Sequence, residues 1–367
     1  MRFLIPLSLV CLGFAHCKMP DPCLVGDLSC DAFTSLLYAG PVLTPRFVYA
    51  SDNLSGNIQT MKIKEDGALE FLRSTALAGA SSLAIDPAGR YLYASGTGGV
   101  FVYSITHKDG TLVAINSYTG VGTPGAISVD PSGSYIVIPT GTGTAICKVR
   151  ATDCVISPIA NLLQTAFRKD ATGIFAQLNT GNLGTFNLDS TSLMLTSFGP
   201  TPAGGGTATT GTGLVFDSSQ THVYSAYQTA SPANLSAGTV AGDKSIGTVT
   251  NSPLAHDFYS IAMDPKDRFV LVSDFNNNLI LGVGRNTDGS LDPTPLIAVA
   301  TQASTQMRKI AIDPTGTYMY VTNTQGGSES ILTFVLSYGT MVQRAPLSIV
   351  TSNNTSLGMV VASFFEN

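Results

Sequence analysis

Asp313-Pro314-Thr315-Gly316-Thr317-Tyr318-Met319-Tyr320-Val321-Thr322-Asn323 is the stretch that decides the fold. Its first four residues have type I turn chemistry. Asp accepts local backbone hydrogen bonds, Pro fixes φ at the second position, and Gly is favoured at the fourth. The aromatic and β-branched run that follows reads as a strand. The turn returns as Asp86-Pro87-Ala88-Gly89 and Asp130-Pro131-Ser132-Gly133, with Asp264-Pro265-Lys266-Asp267 a close variant. Asp170-Ala171-Thr172-Gly173 and Asp217-Ser218-Ser219-Gln220 are degraded copies. The strand after the turn occurs seven times. Its copies align Phe47, Tyr91, Tyr135, Phe175, His222, Phe269 and Tyr318 in one column, at intervals of 44, 44, 40, 47, 47 and 49 residues. A period in this range marks a propeller or a solenoid.

The rest of each unit selects between the two. A short apolar stretch precedes each Asp, as in Ser82-Leu83-Ala84-Ile85 or Lys309-Ile310-Ala311-Ile312. A third alternating run follows, such as Val100 to Ile105, then Asp66-Gly67, Asp109-Gly110 or Asp288-Gly289, and a fourth run. Asp-Gly between two strand-like runs is a strong hairpin signal. Helical periodicity is confined to the N-terminus and residues 31–39. Four antiparallel strands per unit, repeated radially, predict an all-β fold, a β-propeller of four-stranded blades. The first copy lacks a preceding Asp-Pro strand, and Leu357 to Phe364 reads as one surplus first strand. The C-terminal strand is therefore expected to complete the N-terminal blade. That closes seven blades over residues 45–367 and removes open sheet edges.

Tyr320-Val321-Thr322-Asn323 spells YVTN, and Asp-Pro-x-Gly-x-Tyr-x-Tyr-Val-x-Asn resembles the repeat of YVTN-type propellers. The chain is also similar to the seven-bladed lactonase propellers related to 6-phosphogluconolactonase. The resemblance covers nearly the whole chain after its first 44 residues and implies the fold. It implies lactone hydrolysis only as one activity of a scaffold with many, because the shared residues are turn and core positions.

Phe3 to Phe14 is an apolar run of signal-peptide length behind Arg2. Residues 1–16 are expected to be a signal peptide and 17–44 a tether. Two processing sites compete, one before His16 and one before Cys17. After loss of Cys11 five cysteines remain, an odd number for an exported chain. Lipidation of Cys17 would leave two local pairs, Cys23 with Cys30 and Cys147 with Cys154. The expected location is the cell envelope, in the outer membrane or periplasm, with membrane contact through the lipid alone. A net charge of −5, 12% charged residues and the lack of any basic run argue against nucleic-acid binding.

Few motifs carry chemistry. Gly120-Val121-Gly122-Thr123-Pro124-Gly125 matches a dinucleotide fingerprint but leads into a strand, where the motif needs a helix N-terminus. Asp274-Phe275-Asn276-Asn277-Asn278 begins like a calcium loop, yet Leu279 and Arg285 stand where Gly and Glu belong. Neither a metal nor a cofactor is expected. His222 falls in the aromatic column and reads as a packed core residue. His256, beside Asp257, is the candidate general base, since a carboxylate can orient an imidazole. Loops between blades share a face with those between second and third strands. That face gathers His256 and Asp257 as catalytic candidates and Asp52, Asp274, Asn276, Arg308 and Asn323 as ligand-binding candidates. The leading expectation is an envelope-anchored binding or scaffold module for a protein or small molecule. The alternative is a lactonase-like hydrolase of a small lactone, with His256 as base and Arg308 on an anionic group.

Lipid anchoring has a direct check. Mass spectrometry of the mature N-terminus should find an acylated Cys17, and detergent-phase partitioning should vanish in Cys17→Ser. An unmodified chain starting at His16 would mean ordinary secretion.

Overall fold

In a computed structural model the chain is described over residues 43–365, apart from 203–209, 229–234, 301–304, 344–357 and positions 54, 123, 150, 152–153, 253, 255, 275, 326–327 and 338–339. The expected signal peptide, nearly all of the tether, and Cys17, Cys23 and Cys30 lie outside the described residues. Residues Leu43–Glu366 form one compact unit.

That unit is seven four-stranded antiparallel sheets. Blade 1 comprises β1 (Leu43–Asp52), β2 (Asn57–Ile63), β3 (Leu69–Ala76) and the last strand, β28 (Met359–Phe365). Blade 2 runs β4 (Leu83–Ile85), β5 (Tyr91–Gly96), β6 (Gly99–Ile105) and β7 (Leu112–Thr119). Blade 3 runs β8 (Ser128–Val129), β9 (Tyr135–Pro139), β10 (Thr144–Lys148) and β11 (Cys154–Ser157). Blade 4 has β12 (Leu162–Phe167), β13 (Gly173–Leu178), β14 (Leu183–Asp189) and β15 (Met194–Phe198). Blade 5 has β16 (Thr210–Phe216), β17 (His222–Gln228), β18 (Leu235–Val240) and β19 (Ile246–Asn251). Blade 6 follows with β20 (Phe258–Met263), β21 (Phe269–Asp274), β22 (Leu279–Arg285) and β23 (Leu291–Ala300), and blade 7 with β24 (Thr305–Ile312), β25 (Tyr318–Gln325), β26 (Ser328–Ser337) and β27 (Thr340–Gln343). β28 pairs antiparallel with β1, with Val361 opposite Val48, so the C-terminal strand closes the ring on the N-terminal blade.

The repeated turn works as its composition requires. Asp86, Asp130, Asp217, Asp264 and Asp313 are all buried. Where the fifth residue on is Tyr91, Tyr135, His222 or Tyr318, its backbone N–H donates to the Asp carboxylate at 2.5–3.0 Å. In the complete turns the Gly N–H closes on the Asp carbonyl, and Gly89, Gly133 and Gly316 take φ of 66–69°, a region that favours glycine. Each carboxylate thus fixes where the second strand begins.

Two sets of contacts join neighbouring blades. Near the axis, inner-strand hydroxyls stitch them together. Ile127 N donates to Ser82 Oγ, Ser128 Oγ to Thr165 O, Thr212 Oγ1 to Phe258 O, and Ile310 N to Ser260 Oγ. Between blades 1 and 2, Ser51 Oγ donates to Ser81 O. At three junctions, 1–2, 5–6 and 7–1, the column aromatic lies on the glycine of the next blade's Asp-Gly turn. A Cβ on Gly110 would come 2.7 Å from the Phe47 ring, one on Gly67 2.2 Å from Tyr318, and one on Gly289 1.9 Å from His222. Two residues further along each strand, Tyr49, Tyr320 and Tyr224 donate their hydroxyls to the carbonyls of the same glycines, at 2.9, 3.1 and 3.0 Å.

Two positions depart from the simple repeat. His222 is not a packed apolar core residue. It is half-buried, with Nδ1 3.2 Å from Asp217 Oδ2 and 3.3 Å from an Arg285 nitrogen. Imidazole keeps the flat shape the glycine needs and adds a polar edge that ties Asp217 to Arg285. Asp217 is buried, which raises its pKa, but the hydrogen bonds from His222, Thr221 and Ser219 prevail and hold it down to about 2. Blade 3 lacks Asp-Gly between β10 and β11. There Tyr93, buried in blade 2, has a hydroxyl with no hydrogen-bond partner among the described residues. Tyr118 instead donates to Lys148 O at 2.9 Å. Cys147 and Cys154, directly opposite on β10 and β11, are joined by a disulfide across that hairpin.

Two outcomes test this architecture. Gly110→Ala should cost about 1–3 kcal/mol by overpacking Phe47 at a positive φ, read from the denaturation midpoint. A chain ending at residue 354 loses β28, exposes β1 as an edge, and should lose cooperative unfolding or aggregate; an unchanged melting temperature would disprove closure by that strand.

Candidate functional site

The second strands of blades 1, 6 and 7 carry Asp52, Asp274 and Asn323 at or near their ends, each five residues beyond its column aromatic. Gly96, Thr140 and Tyr227 hold the same place in blades 2, 3 and 5. Blades 6, 7 and 1 are consecutive in the closed ring, so these polar ends form one arc on one face. All three residues are buried. Asp52 accepts the Ser55 N–H through Oδ1, and Asn323 donates to Ser330 Oγ. Asp52 Oδ2 and Asn323 Oδ1 are buried with no hydrogen-bond partner among the described residues.

Asp274 is the most heavily bonded of the three. Its Oδ1 accepts the backbone N–H groups of Asn276 and Asn277 at 3.1 and 3.0 Å, which folds the loop after β21 over the carboxylate. Its Oδ2 accepts from Asn277 Nδ2 at 2.7 Å and lies 2.5 Å from His256 Nδ1. An ionised carboxylate offers only acceptors. The short contact therefore places the imidazole proton on Nδ1 and makes Nε2 the basic nitrogen. The His256 side chain is 25% exposed while that of Asp274 is fully buried. Phe258, also fully buried, backs the ring at a centroid distance of 5.8 Å.

Sequence adjacency favours Asp257 as the partner of His256, but the carboxylate that reaches Nδ1 is Asp274. Successive side chains of an extended segment point to opposite sides. Asp257 instead accepts a hydrogen bond from Asn276 Nδ2. The pairing of Phe258 with Asp274 across β20 and β21 carries the end of β21 to the loop that holds His256. His256, Asp257, Asp274 and Asn276 are thus brought together, with Asp52 and Asn323 on the neighbouring blades. Arg308 lies in β24, and its side chain is outside the described residues.

The first strands touch one another in ring order around the axis. They enclose a cavity of about 370 Å³ to which all seven blades contribute, among them Ser82, Gln164, Thr212, Ser260, Lys309 and Met359. Lys309 is a lining residue that sequence reading misses, because it sits just before the short apolar run Ile310 to Ile312. Among the described residues no group of three or more His, Cys, Asp or Glu side chains is placed to hold a metal ion.

Residues 43–146 match a family model described as lactonase, 7-bladed β-propeller. No curated protein matches the chain. Among solved structures, the periplasmic gluconolactonase PpgL of Pseudomonas aeruginosa is 15% identical with a TM-score of 0.70, covering 85% of this chain and 98% of its own. A candidate 6-phosphogluconolactonase of Bacteroides uniformis is 14% identical with a TM-score of 0.70, covering 87% and 100%. Another, of Bacteroides fragilis, is 16% identical with a TM-score of 0.68, covering 86% and 98%. Identities this low speak to the fold alone. The described residues form a seven-bladed β-propeller, and residues 43–146 are similar in sequence to the lactonase family of such propellers.

Proposed function

We propose that this protein hydrolyses a small lactone, with His256 as general base and Asp274 as the carboxylate that positions it. The observation that carries the reading is the 2.5 Å contact between His256 Nδ1 and Asp274 Oδ2, made by a buried carboxylate to a ring that water still reaches. Water at the Nε2 edge loses a proton to the imidazole as it attacks the lactone carbonyl. The imidazolium so formed stays hydrogen-bonded to the ionised Asp274. Collapse of the tetrahedral intermediate breaks the ring C–O bond. The departing alkoxide takes the proton back, so that one lactone and one water give one hydroxy acid. The gluconolactonase names carried by proteins of the same fold support this choice of substrate class.

The rival is recognition without turnover, and the axial cavity favours it. Most of its hydroxyls are engaged in joining blades, so its wall is rigid and shaped for binding. Envelope anchoring through Cys17 remains a proposal from the sequence and is compatible with either reading.

The two readings separate in a pH-stat assay with glucono-δ-lactone as probe, corrected for spontaneous hydrolysis. Asp274→Asn and His256→Ala should each lower kcat/KM by about 10²–10⁴-fold while the far-ultraviolet dichroism is unchanged. A His256→Ala protein as active as wild type would end the hydrolase proposal. Binding of the lactone without measurable turnover would leave the recognition module.

A further inference from the structure

Lys309 is the one ionisable side chain among the described residues lining the axial cavity. It sits on β24 with its backbone pinned on both sides of the strand. Lys309 N donates to Thr322 Oγ1 at 2.9 Å, and Ile310 N donates to Ser260 Oγ of blade 6 at 3.2 Å. Its Nζ lies 5.7 Å from the centroid of the Tyr259 ring. No Asp or Glu among the described residues comes within ion-pair distance of it. The residue is half-buried, and desolvation by the surrounding protein pushes its pKa down to about 8.

A partly desolvated cation with no counter-ion within ion-pair distance is a costly arrangement, and an arriving anion relieves it. The hydroxyls lining the same cavity carry no charge to balance it. Ser82, Thr212 and Ser260 are committed to backbone groups of the adjacent blades. A cavity of about 370 Å³ has room for a small organic molecule. Its wall carries no negative side chain to repel an anion.

We infer that the axial cavity is a binding site for a small oxyanion, a carboxylate or a phosphate group, received by the Lys309 ammonium beside the Tyr259 ring. The site does not depend on the hydrolase reading. It uses blades 6 and 7 where they face the axis, and it requires no turnover.

Charge around Lys309 is sparse. β20 turns the titratable Tyr259 towards it, while Thr322 of β25 and Met359 of β28 do not titrate. Asp52 and Asp274, which end strands of the neighbouring blades, stay outside ion-pair distance. Lysine carries charge below its pKa, so anion affinity should be full near pH 6.5 and fall as pH rises through about 8.

Isothermal titration calorimetry of the full chain at constant ionic strength tests this, with sodium gluconate and inorganic phosphate as separate probes. Saturable binding of at least one probe is expected, weaker by about tenfold or more at pH 9.5 than at pH 6.5. Binding of gluconate alone identifies a carboxylate site, and binding of phosphate alone a phosphate site. Lys309→Met should remove the binding and keep the cooperative thermal transition. Lys309→Arg should keep the binding and lose its dependence on pH. Saturable binding by Lys309→Met equal to wild type, or no saturable binding of either probe to the wild type, would overturn the assignment.

Discussion

Three junctions of the ring, its closure among them, depend on the contact between an aromatic side chain of one blade and a glycine of the next. Phe47 on Gly110, Tyr318 on Gly67 and His222 on Gly289 each place a flat ring where no Cβ could stand. The partner tyrosine two residues on then donates its hydroxyl to the same glycine's carbonyl. Such a hydrogen bond contributes about 0.5–1.5 kcal/mol, and burial of an aromatic ring about 1.5–3 kcal/mol. Ring burial is the stronger of the two and has no direction, whereas the hydrogen bond is weaker and directional. Together they fix both the distance and the angle between blades. The contact of Tyr318 and Tyr320 with Gly67 joins blade 7 to blade 1, so the latch used inside the ring also closes it. Where blade 3 lacks the glycine, the hydroxyl of Tyr93 goes without a described partner and a disulfide braces the hairpin instead.

The position of the polar arc follows from this scaffold. Asp264 and Asp313 fix where β21 and β25 begin, and the same spacing of five residues from the column aromatic then places Asp274 and Asn323. Asp274 and Asn323 inherit their places from that register, and Asp52 reaches the matching place on β1. A carboxylate set by a strand end, rather than by a loop, can hold an imidazole at 2.5 Å without ordering anything further. The repeat supplies seven such strand ends, and only three consecutive blades put an acid or an amide there. Function on a propeller of this kind arises by local divergence at one repeated position over a common frame.

Most of the fold was legible because it is written in local chemistry. Asp-Pro-x-Gly turns, Asp-Gly hairpins and a strand-like C-terminus each have a meaning within a few residues, and their spacing gives the ring. The site was legible only in part. His256 and Asp274 both belong to the expected face, but their pairing depends on the register between β20 and β21, and adjacency in sequence drew attention to Asp257 instead. His222 stood in an aromatic column, and the column conveys shape without conveying that Asp217 and Arg285 converge on the ring edge. Lys309 heads a short apolar run, and nothing local tells that its strand faces an axial cavity rather than a sheet interior.

Those misreadings share a physical origin. Local rules describe what a residue needs, whereas a site is made of needs left unmet by the local structure. Asp52 Oδ2 and Asn323 Oδ1 are buried without described partners on blades 1 and 7, and Lys309 on blade 7 is partly desolvated with no described carboxylate within ion-pair distance. Each is unfavourable for folding by itself, since an unsatisfied buried polar group costs about 1–3 kcal/mol. The His256–Asp274 pair on blade 6 is the opposite case, satisfied at the carboxylate and still reached by water at the ring. A frame latched at three junctions and stitched by inner-strand hydrogen bonds at others can sustain such costs on a few consecutive blades. Local consistency therefore fails on the same arc that gathers the candidate chemistry.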